Sequence, residues 1–251
     1  MKDMLTGRLA LVTGAGRGNG AAIARGLASA GARVIVTDID LEAARTIADS
    51  IVKAGGDARG HALDVTDAEG CRKLAEDIAL LVGPISILVN NAGIFLRGNL
   101  VAPDSRERWE RTMEVNVQGP FNVTMAFVEQ LKNTKGCIVN IASTNAFVAP
   151  AGNGVYPVSK GALAQFTRAL ATELAADGVR VNALAPGIIA TAMTEVTRAD
   201  PKRLAGFLQH VPMRRVGEPE ELAGPVVFLC SEAASYVTGA ILPVDGGYLA
   251  G

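Results

Sequence analysis

At 251 residues, with 24 Lys and Arg against 25 Asp and Glu, the chain has a net charge of −1 and no basic footprint for nucleic acid or an anionic membrane. Hydrophobic residues make up 49% but aromatics only 4%, so the core must be built from Ala, Val, Leu and Ile, as suits small-residue helices packed on a buried parallel sheet. Cys71, Cys137 and Cys230 are odd in number and far apart, which argues against a disulfide framework or a zinc site and for buried free thiols.

Apolar runs alternate with amphipathic helical stretches almost from end to end. In chain order, a strand at 9–13 is followed by a helix at 21–30, and a strand at 34–37 by a helix at 41–54. A weaker strand at 60–63 precedes a helix at 68–81. The strand at 87–90 leads into a long helix at 106–131, and that at 137–141 into a helix at 155–176. A strand at 179–184, a helix at 218–230 and a weak strand at 240–244 complete the order. Gly31, Gly55 and Gly83 stand where helices stop. Strands alternating with helices predict right-handed βαβ units, an α/β fold with one doubly wound parallel sheet and helices on both faces. No linker or repeat interrupts residues 1–251, which therefore read as a single domain. Only 187–217 breaks the rhythm, and its Thr, Met and Arg content suits a substrate lid. No stretch of about 18 apolar residues occurs. Nor does an apolar targeting core follow Met1. The expectation is a soluble, cytoplasmic protein without nucleic-acid, membrane or metal partners.

Between the first strand and first helix lie four glycines: Gly14, Gly16, Gly18 and Gly20. In that context a glycine loop points backbone N–H groups at a pyrophosphate, so Gly14, Arg17, Gly18, Asn19 and Gly20 are candidate cofactor contacts. The dinucleotide fingerprint fits only from Gly16, in the relaxed form ending at Ala21. The second strand ends at Asp38, followed by Ile39. A carboxylate there accepts ribose hydroxyls and repels a 2′-phosphate, which predicts NAD over NADP. Arg17 is the opposing signal, since a guanidinium in the loop can reach a 2′-phosphate.

Tyr156 and Lys160 stand four residues apart, on one face if 155–176 is helical. A phenol with a pKa near ~10 is a poor base at neutral pH. A cation about 4 Å away supplies energy of the order needed to lower it. Pro157 is compatible only if the helix begins near Asn153 or Gly154, which puts the proline in its first turn.

Thr13, the glycine loop, Asn90-Asn91-Ala92-Gly93, Asn116, Ser143, Tyr156, Lys160 and Pro186-Gly187 follow one another in an order that resembles the short-chain dehydrogenase/reductase family over the whole chain. The resemblance implies a seven-stranded Rossmann-type sheet and usually a homotetramer. It implies that Tyr156 is the catalytic acid/base. Lys160 would hold the nicotinamide ribose and lower the phenol pKa. Ser143 would bond the substrate oxygen, and Asn116 would complete a water-borne proton relay. Asp64 and Val65 would meet the adenine, and Asn91, Ala92 and Gly93 the cofactor floor. Pro186, Gly187, Ile189 and Thr191 would line the carboxamide end. Asn19 departs from the family, which commonly carries Ile there. Phe95, Asn145, Phe147, Met193 and Phe207, with Ser143, are candidate substrate contacts.

The expected reaction is hydride transfer between NAD and a secondary alcohol, with a small polyol or sugar-type alcohol favoured by the ending that follows Val244. Arg17 and the basic lid residues speak for an alternative, an NADPH-dependent 3-oxoacyl-(acyl-carrier) reductase. A non-enzymatic NAD-binding regulator on the same fold is the third reading, against which the full set of Asn116, Ser143, Tyr156 and Lys160 argues. Arg214 and Arg215 suit either an anionic ligand or a structural ion pair.

Overall fold

The alternation of residues along the first strand already describes the architecture. In the computed structural model, which describes residues 3–251, Leu9 and Leu11 point into one apolar layer and Ala10 and Val12 into the other. Both faces of this strand are covered, as period-2 side chains in a central parallel strand require.

Seven parallel strands form one sheet in the order β3-β2-β1-β4-β5-β6-β7. They are β1 (Leu9–Val12), β2 (Arg33–Asp38), β3 (Asp57–Ala62), β4 (Ile87–Asn90), β5 (Cys137–Ile141), β6 (Arg180–Pro186) and β7 (Ile241–Val244). The sheet confirms the predicted fold class. Strand β3 begins three residues before the predicted strand, because Asp57 pairs with Arg33 at a half-exposed edge where no apolar run marks the boundary.

One layer of helices packs on each face. Helices α1 (Gly18–Ser29) and α2 (Leu41–Lys53) bury Ile23, Leu27, Ile47 and Ile51 against the face that carries Val12, Val36 and Val139. On the other face, α3 (Ala68–Leu81) sets Leu74 and Ile78 against Leu11, Leu88 and Ile138. Asp40 and Asp67 cap α2 and α3 by accepting N–H bonds from the first turn.

The long helix predicted at 106–131 is interrupted. It runs as α4 (Ser105–Met113), a π-helical turn (Glu114–Gln118) and α5 (Gly119–Asn133), with the Gly119 N–H donating to Glu114 O five residues back. Pro120 accounts for the break: it has no N–H for the carbonyl four residues earlier, that of Asn116, and an α-turn would press its ring on that carbonyl. Helix α6 (Tyr156–Leu174) begins later than the expected start near Asn153 or Gly154, with Pro157 as its second residue and so still in the first turn.

The segment 187–217 is more ordered than a loop. It carries α7 (Glu195–Arg198) and α8 (Pro201–Leu208), the second started by Asp200, which accepts from Lys202 N and Arg203 N ahead of Pro201. The last helix, α9 (Ala223–Cys230), follows a tighter turn at Pro219–Leu222.

Four buried polar side chains pin α5 and α6 to the sheet. Asn90 donates to Thr124 Oγ1 (3.2 Å) and to Asn140 Oδ1 (2.9 Å), and Asn140 donates to Thr167 Oγ1 (2.9 Å). A buried network of this kind fixes one register, although Asn90 Oδ1 is left without a hydrogen-bond partner among the described residues. Cys71, Cys137 and Cys230 are buried free thiols. No helix among the described residues is long and apolar enough to cross a membrane.

Candidate active site

Strand order reverses between β1 and β4, and the crevice beyond their C-terminal ends is where such sheets bind ligands. Thr13 ties the two ends together: its Oγ1 accepts from Asn91 N and Ala92 N, each at 3.0 Å. Asn91 returns the bond, its Nδ2 donating to Thr13 O and Gly14 O at 2.9 Å. Gly14 has φ +58°, and a Cβ there would lie 2.8 Å from Ala92 Cα. A Cβ on Gly20 would lie 2.4 Å from Gly14 O and 2.5 Å from Asn91 Nδ2. The turn is therefore a bare-backbone cradle opening α1, with the helix N-terminus as its floor.

Asn19, inside the first turn of α1, has a buried Oδ1 with no hydrogen-bond partner, while Arg17 beside it is exposed. An open cradle at the helix start and an exposed cation beside it fit a dinucleotide with its pyrophosphate there. Asp38 is less free than its position suggested. Its Oδ2 accepts from Gly16 N (2.9 Å) and its Oδ1 from Asp40 N (3.1 Å). The carboxylate braces the glycine turn, and each oxygen keeps one further lone pair for a ribose hydroxyl. Ile39 is largely exposed next to it.

Further along the crevice, four predicted side chains meet. Ser143 follows β5 in extended backbone, with Oγ accepting from Asn145 N at 3.1 Å. It also acts on the phenol of half-buried Tyr156, lowering its pKa. Lys160 is buried, with Nζ donating to Ile141 O at 2.8 Å and lying 5.6 Å from the Tyr156 ring centroid. Asn116 sits in the π-turn, fully buried. Its Oδ1 accepts from Ile94 N and its Nδ2 donates to Ile94 O and Ser159 Oγ. Ser159 in turn donates to Tyr156 O, so Asn116 is strapped to the first turn of α6. A Cβ on Gly93 would lie 3.2 Å from Asn116 Oδ1 and 3.5 Å from Lys160 Nζ, which keeps this corner open.

The electrostatics differ from the sequence expectation. Burial pushes the Tyr156 phenol up to about 12, against the lowering effect of Ser143, and burial brings Lys160 down to about 8. Lys160, with its ammonium donating to the Ile141 carbonyl, is not among the groups that shift the phenol. At neutral pH Tyr156 thus keeps its proton.

The remaining predicted residues divide. Thr191 lies 3.4 Å, at its Cγ2, from a Cβ built on Gly18, so lid and glycine turn face each other. Pro186 ends β6, and Gly187 N donates to Val244 O. Ile189 turns its side chain into the core and leaves only backbone to the site. Asp64 accepts from Thr66 N and Oγ1, which holds its carboxyl below its usual value. Val65 is buried against Gly119. Phe95 packs on Tyr156 with ring centroids 4.7 Å apart. Phe147 and Met193 are exposed. Phe207 is stacked on Tyr248 at 4.9 Å, so the C-terminal segment clasps the lid. Arg215 forms a two-pronged pair with Glu221, and Arg214 bonds the carbonyls of Leu208 and Gln209; both are structural.

A doubly wound sheet with a glycine cradle at its switch point and a Ser–Tyr–Lys cluster beside it belongs to the class of nucleotide-dependent oxidoreductases. Comparison with known proteins narrows this. A family model described as Enoyl-(Acyl carrier protein) reductase matches residues 14–249. The chain is 43% identical to the 3-oxoacyl-acyl-carrier-protein reductase FabG of Aquifex aeolicus, over 98% of this chain and 99% of that one. It is 45% identical to a galactitol 2-dehydrogenase (L-tagatose-forming) of Cereibacter sphaeroides, over 97% and 96%. A gluconate 5-dehydrogenase of Burkholderia cenocepacia, solved with NADP and tartrate, superposes with a TM-score of 0.94 at 35% identity, covering 100% and 98%. The chain belongs to the short-chain dehydrogenase/reductase family, and it is an NAD(P)-dependent oxidoreductase acting on CH–OH groups.

Proposed function

We propose that the protein oxidises the secondary alcohol of a small polyol or sugar-type substrate, reversibly, with Tyr156 as acid/base. The observation that carries this is the set of groups around the phenol: Ser143 acting on it, Lys160 buried beside it with Nζ 5.6 Å from the ring centroid, and Asn116 strapped to its helix. Bound along the crevice, the nicotinamide cofactor supplies the hydride acceptor or donor. In oxidation Tyr156 Oη takes the hydroxyl proton while Ser143 Oγ holds the same oxygen; in reduction the phenol returns the proton to the carbonyl oxygen. The reluctant phenol makes the direction pH-dependent. Oxidation needs its phenolate and speeds up as pH rises, whereas reduction uses the protonated form present at neutral pH. Lys160, with Nζ fixed by Ile141 O, is positioned for the ribose, and the Asn116 carbonyl that Pro120 leaves without its helical donor suits a relay water.

Within this reading, Gly14, Arg17, Gly18, Asn19 and Gly20 hold the pyrophosphate and Asp38 the adenosine ribose, with Asp64, Val65 and Ile39 around the adenine. Asn91 to Gly93, Pro186, Gly187, Ile189 and Thr191 lie along the nicotinamide half. Residues 187–217 serve as a lid within one domain that spans the chain. Asp38 favours NAD, because a carboxylate braced at the end of β2 opposes a 2′-phosphate. A second reading, an NADP-dependent 3-oxoacyl reductase, draws on exposed Arg17 and on the identity to FabG. Initial rates with NAD and NADP over a panel of polyols, sugar acids and a 3-oxoacyl thioester separate the two. The first reading predicts at least tenfold preference for NAD and turnover of a polyol-type alcohol; a matching preference for NADPH with the thioester selects the second.

We further infer a homotetramer in the cytoplasm. Trp109, Phe121 and Met125 stand 41–45% exposed along α4 and α5, and the Phe121 ring lies 6.2 Å from that of Phe166 of α6, an apolar face that a subunit contact would cover. The buried free thiols suit a reducing compartment. Sedimentation should return a mass near four chains of 25.9 kDa, and a single-chain mass would contradict the assembly.

A further inference from the structure

One buried hydroxyl at the site has no task in the reaction above. Ser159 stands directly before Lys160 in α6 and is 0% exposed. Its Oγ donates to Tyr156 O at 2.8 Å, three residues back, a bond that helix serines often make to their own backbone. The second bond is the unusual one. The same oxygen accepts from Asn116 Nδ2 at 3.1 Å, from a residue 43 positions away. Asn116 is in turn fixed by Ile94, donating to its carbonyl at 2.9 Å and accepting from its N–H at 2.8 Å. Both N–H donors of the Asn116 amide are thereby used. The loop after β4, the π-turn and the start of α6 converge on one amide and one hydroxyl.

The next residue is anchored on another side. Lys160 Nζ donates to Ile141 O of β5 at 2.8 Å. Successive helix residues point about 100° apart, so Ser159 and Lys160 hold α6 from two directions and fix its rotation about its own axis. Tyr156 lies one turn before Lys160 on the same face, and the direction of its ring follows that rotation. Without the Ser159 hydroxyl, the lysine would be a single point about which this end of the helix could turn. One N–H of the buried Asn116 amide would also lose its partner, which loosens the π-turn.

We propose that Ser159 is a positioning residue for the proton transfer: its hydroxyl clamps the Tyr156 end of α6 to the Asn116 turn. The clamp sets the spacing of the phenol, the Lys160 ammonium and the Asn116 carbonyl. This rests on the hydride-transfer reading above and adds a residue to its machinery. Ser159 has no exposure and spends its hydroxyl on two groups inside the protein, so it acts through Tyr156 and Asn116. A displacement of about 1 Å at a reacting group can cost on the order of 10²-fold in rate. Loss of the clamp therefore falls on the chemical step and spares binding.

The test begins with Ser159→Ala, which removes the hydroxyl, creates no bulk and favours the helix, so the variant should fold. Its kcat on the alcohol selected by the substrate panel should fall about 10- to 100-fold. KM and the cofactor dissociation constant should stay within about twofold, with full cofactor stoichiometry by titration calorimetry. Single-turnover hydride transfer should also slow more in heavy water than it does in the wild type, because proton transfer is the part disturbed. A serine that only stabilises the fold leaves that ratio unchanged. Turnover within about twofold of the wild type, a fall matched by lost cofactor stoichiometry, or an unchanged heavy-water ratio would each overturn the proposal. Melting temperatures give a readout independent of turnover. Ser159→Ala and Asn116→Ala should each lower Tm, and together by less than the sum, since either one opens the clamp. Additive shifts would overturn the proposal even with hydride transfer intact. Coupled shifts in a protein that transfers no hydride would support the clamp and overturn the reaction it was assigned to serve.

Discussion

Tyr156→Phe is expected to lower turnover about 10³-fold while cofactor binding stays within a factor of about two, because the change removes the proton-transfer atom and nothing else. The phenyl ring keeps its packing on Phe95, and Ser143 keeps its bond from Asn145 N, so the crevice should hold its shape. The variant also isolates direction. A phenol held near 12 carries its proton at neutral pH, so the wild-type oxidation rate should climb with pH while reduction does not. That climb should disappear in the Phe variant. Stopped-flow absorbance of the reduced cofactor reads both effects, and turnover within tenfold of the wild type would remove Tyr156 from its role.

Gly20→Ala should be the most damaging single change to cofactor binding. Its new Cβ would stand 2.4 Å from Gly14 O and 2.5 Å from Asn91 Nδ2, and both are fixed groups rather than the ends of flexible chains. Asn91 Nδ2 is the donor that closes the turn on Thr13 and Gly14, so the methyl pushes directly on the cradle. Overpacking of this kind costs about 1–3 kcal/mol, and if the strain falls wholly on the bound state, affinity drops about 10- to 100-fold. Titration calorimetry with the cofactor measures it. An unchanged dissociation constant together with an unchanged melting temperature would show that the turn does not carry the ligand.

The parts of the molecule legible in the sequence are those where one local rule suffices. Gly14 to Gly20 between an apolar strand and a helix, Tyr156 and Lys160 at helical spacing, and Pro157 in a first turn each rest on contiguous residues, and the parallel sheet follows from the alternation of elements. What stayed hidden depends on partners distant in sequence. The π-turn at Asn116 is signalled only by Pro120, and its purpose emerges once Ile94 and Ser159 are seen on the same amide. Ser159 itself reads as an ordinary helix serine. Asp38 has the type and place of a ribose ligand, yet its bond to Gly16 N depends on how β2 lies beside the turn.

The lid shows the same limit. Asp200 followed by Pro201 is a helix start that could have been read, and α8 begins there. The stacking of Phe207 on Tyr248 joins residues 41 positions apart through the C-terminal turn at Asp245, whose carboxylate accepts from Gly247 N and Leu249 N. Phe207 therefore serves as a clasp between lid and C-terminus.

The central claim is that this crevice moves a hydride from a carbinol carbon to a nicotinamide while Tyr156 moves the proton. The most direct measurement uses the alcohol selected by the substrate panel, prepared with deuterium on its carbinol carbon, and follows the label by mass spectrometry. The account predicts one deuterium in each reduced cofactor formed, a slower chemical step than with the protium substrate, and no transfer by Tyr156→Phe. Reduced cofactor that carries no deuterium, or equal transfer by the Phe variant, would contradict it.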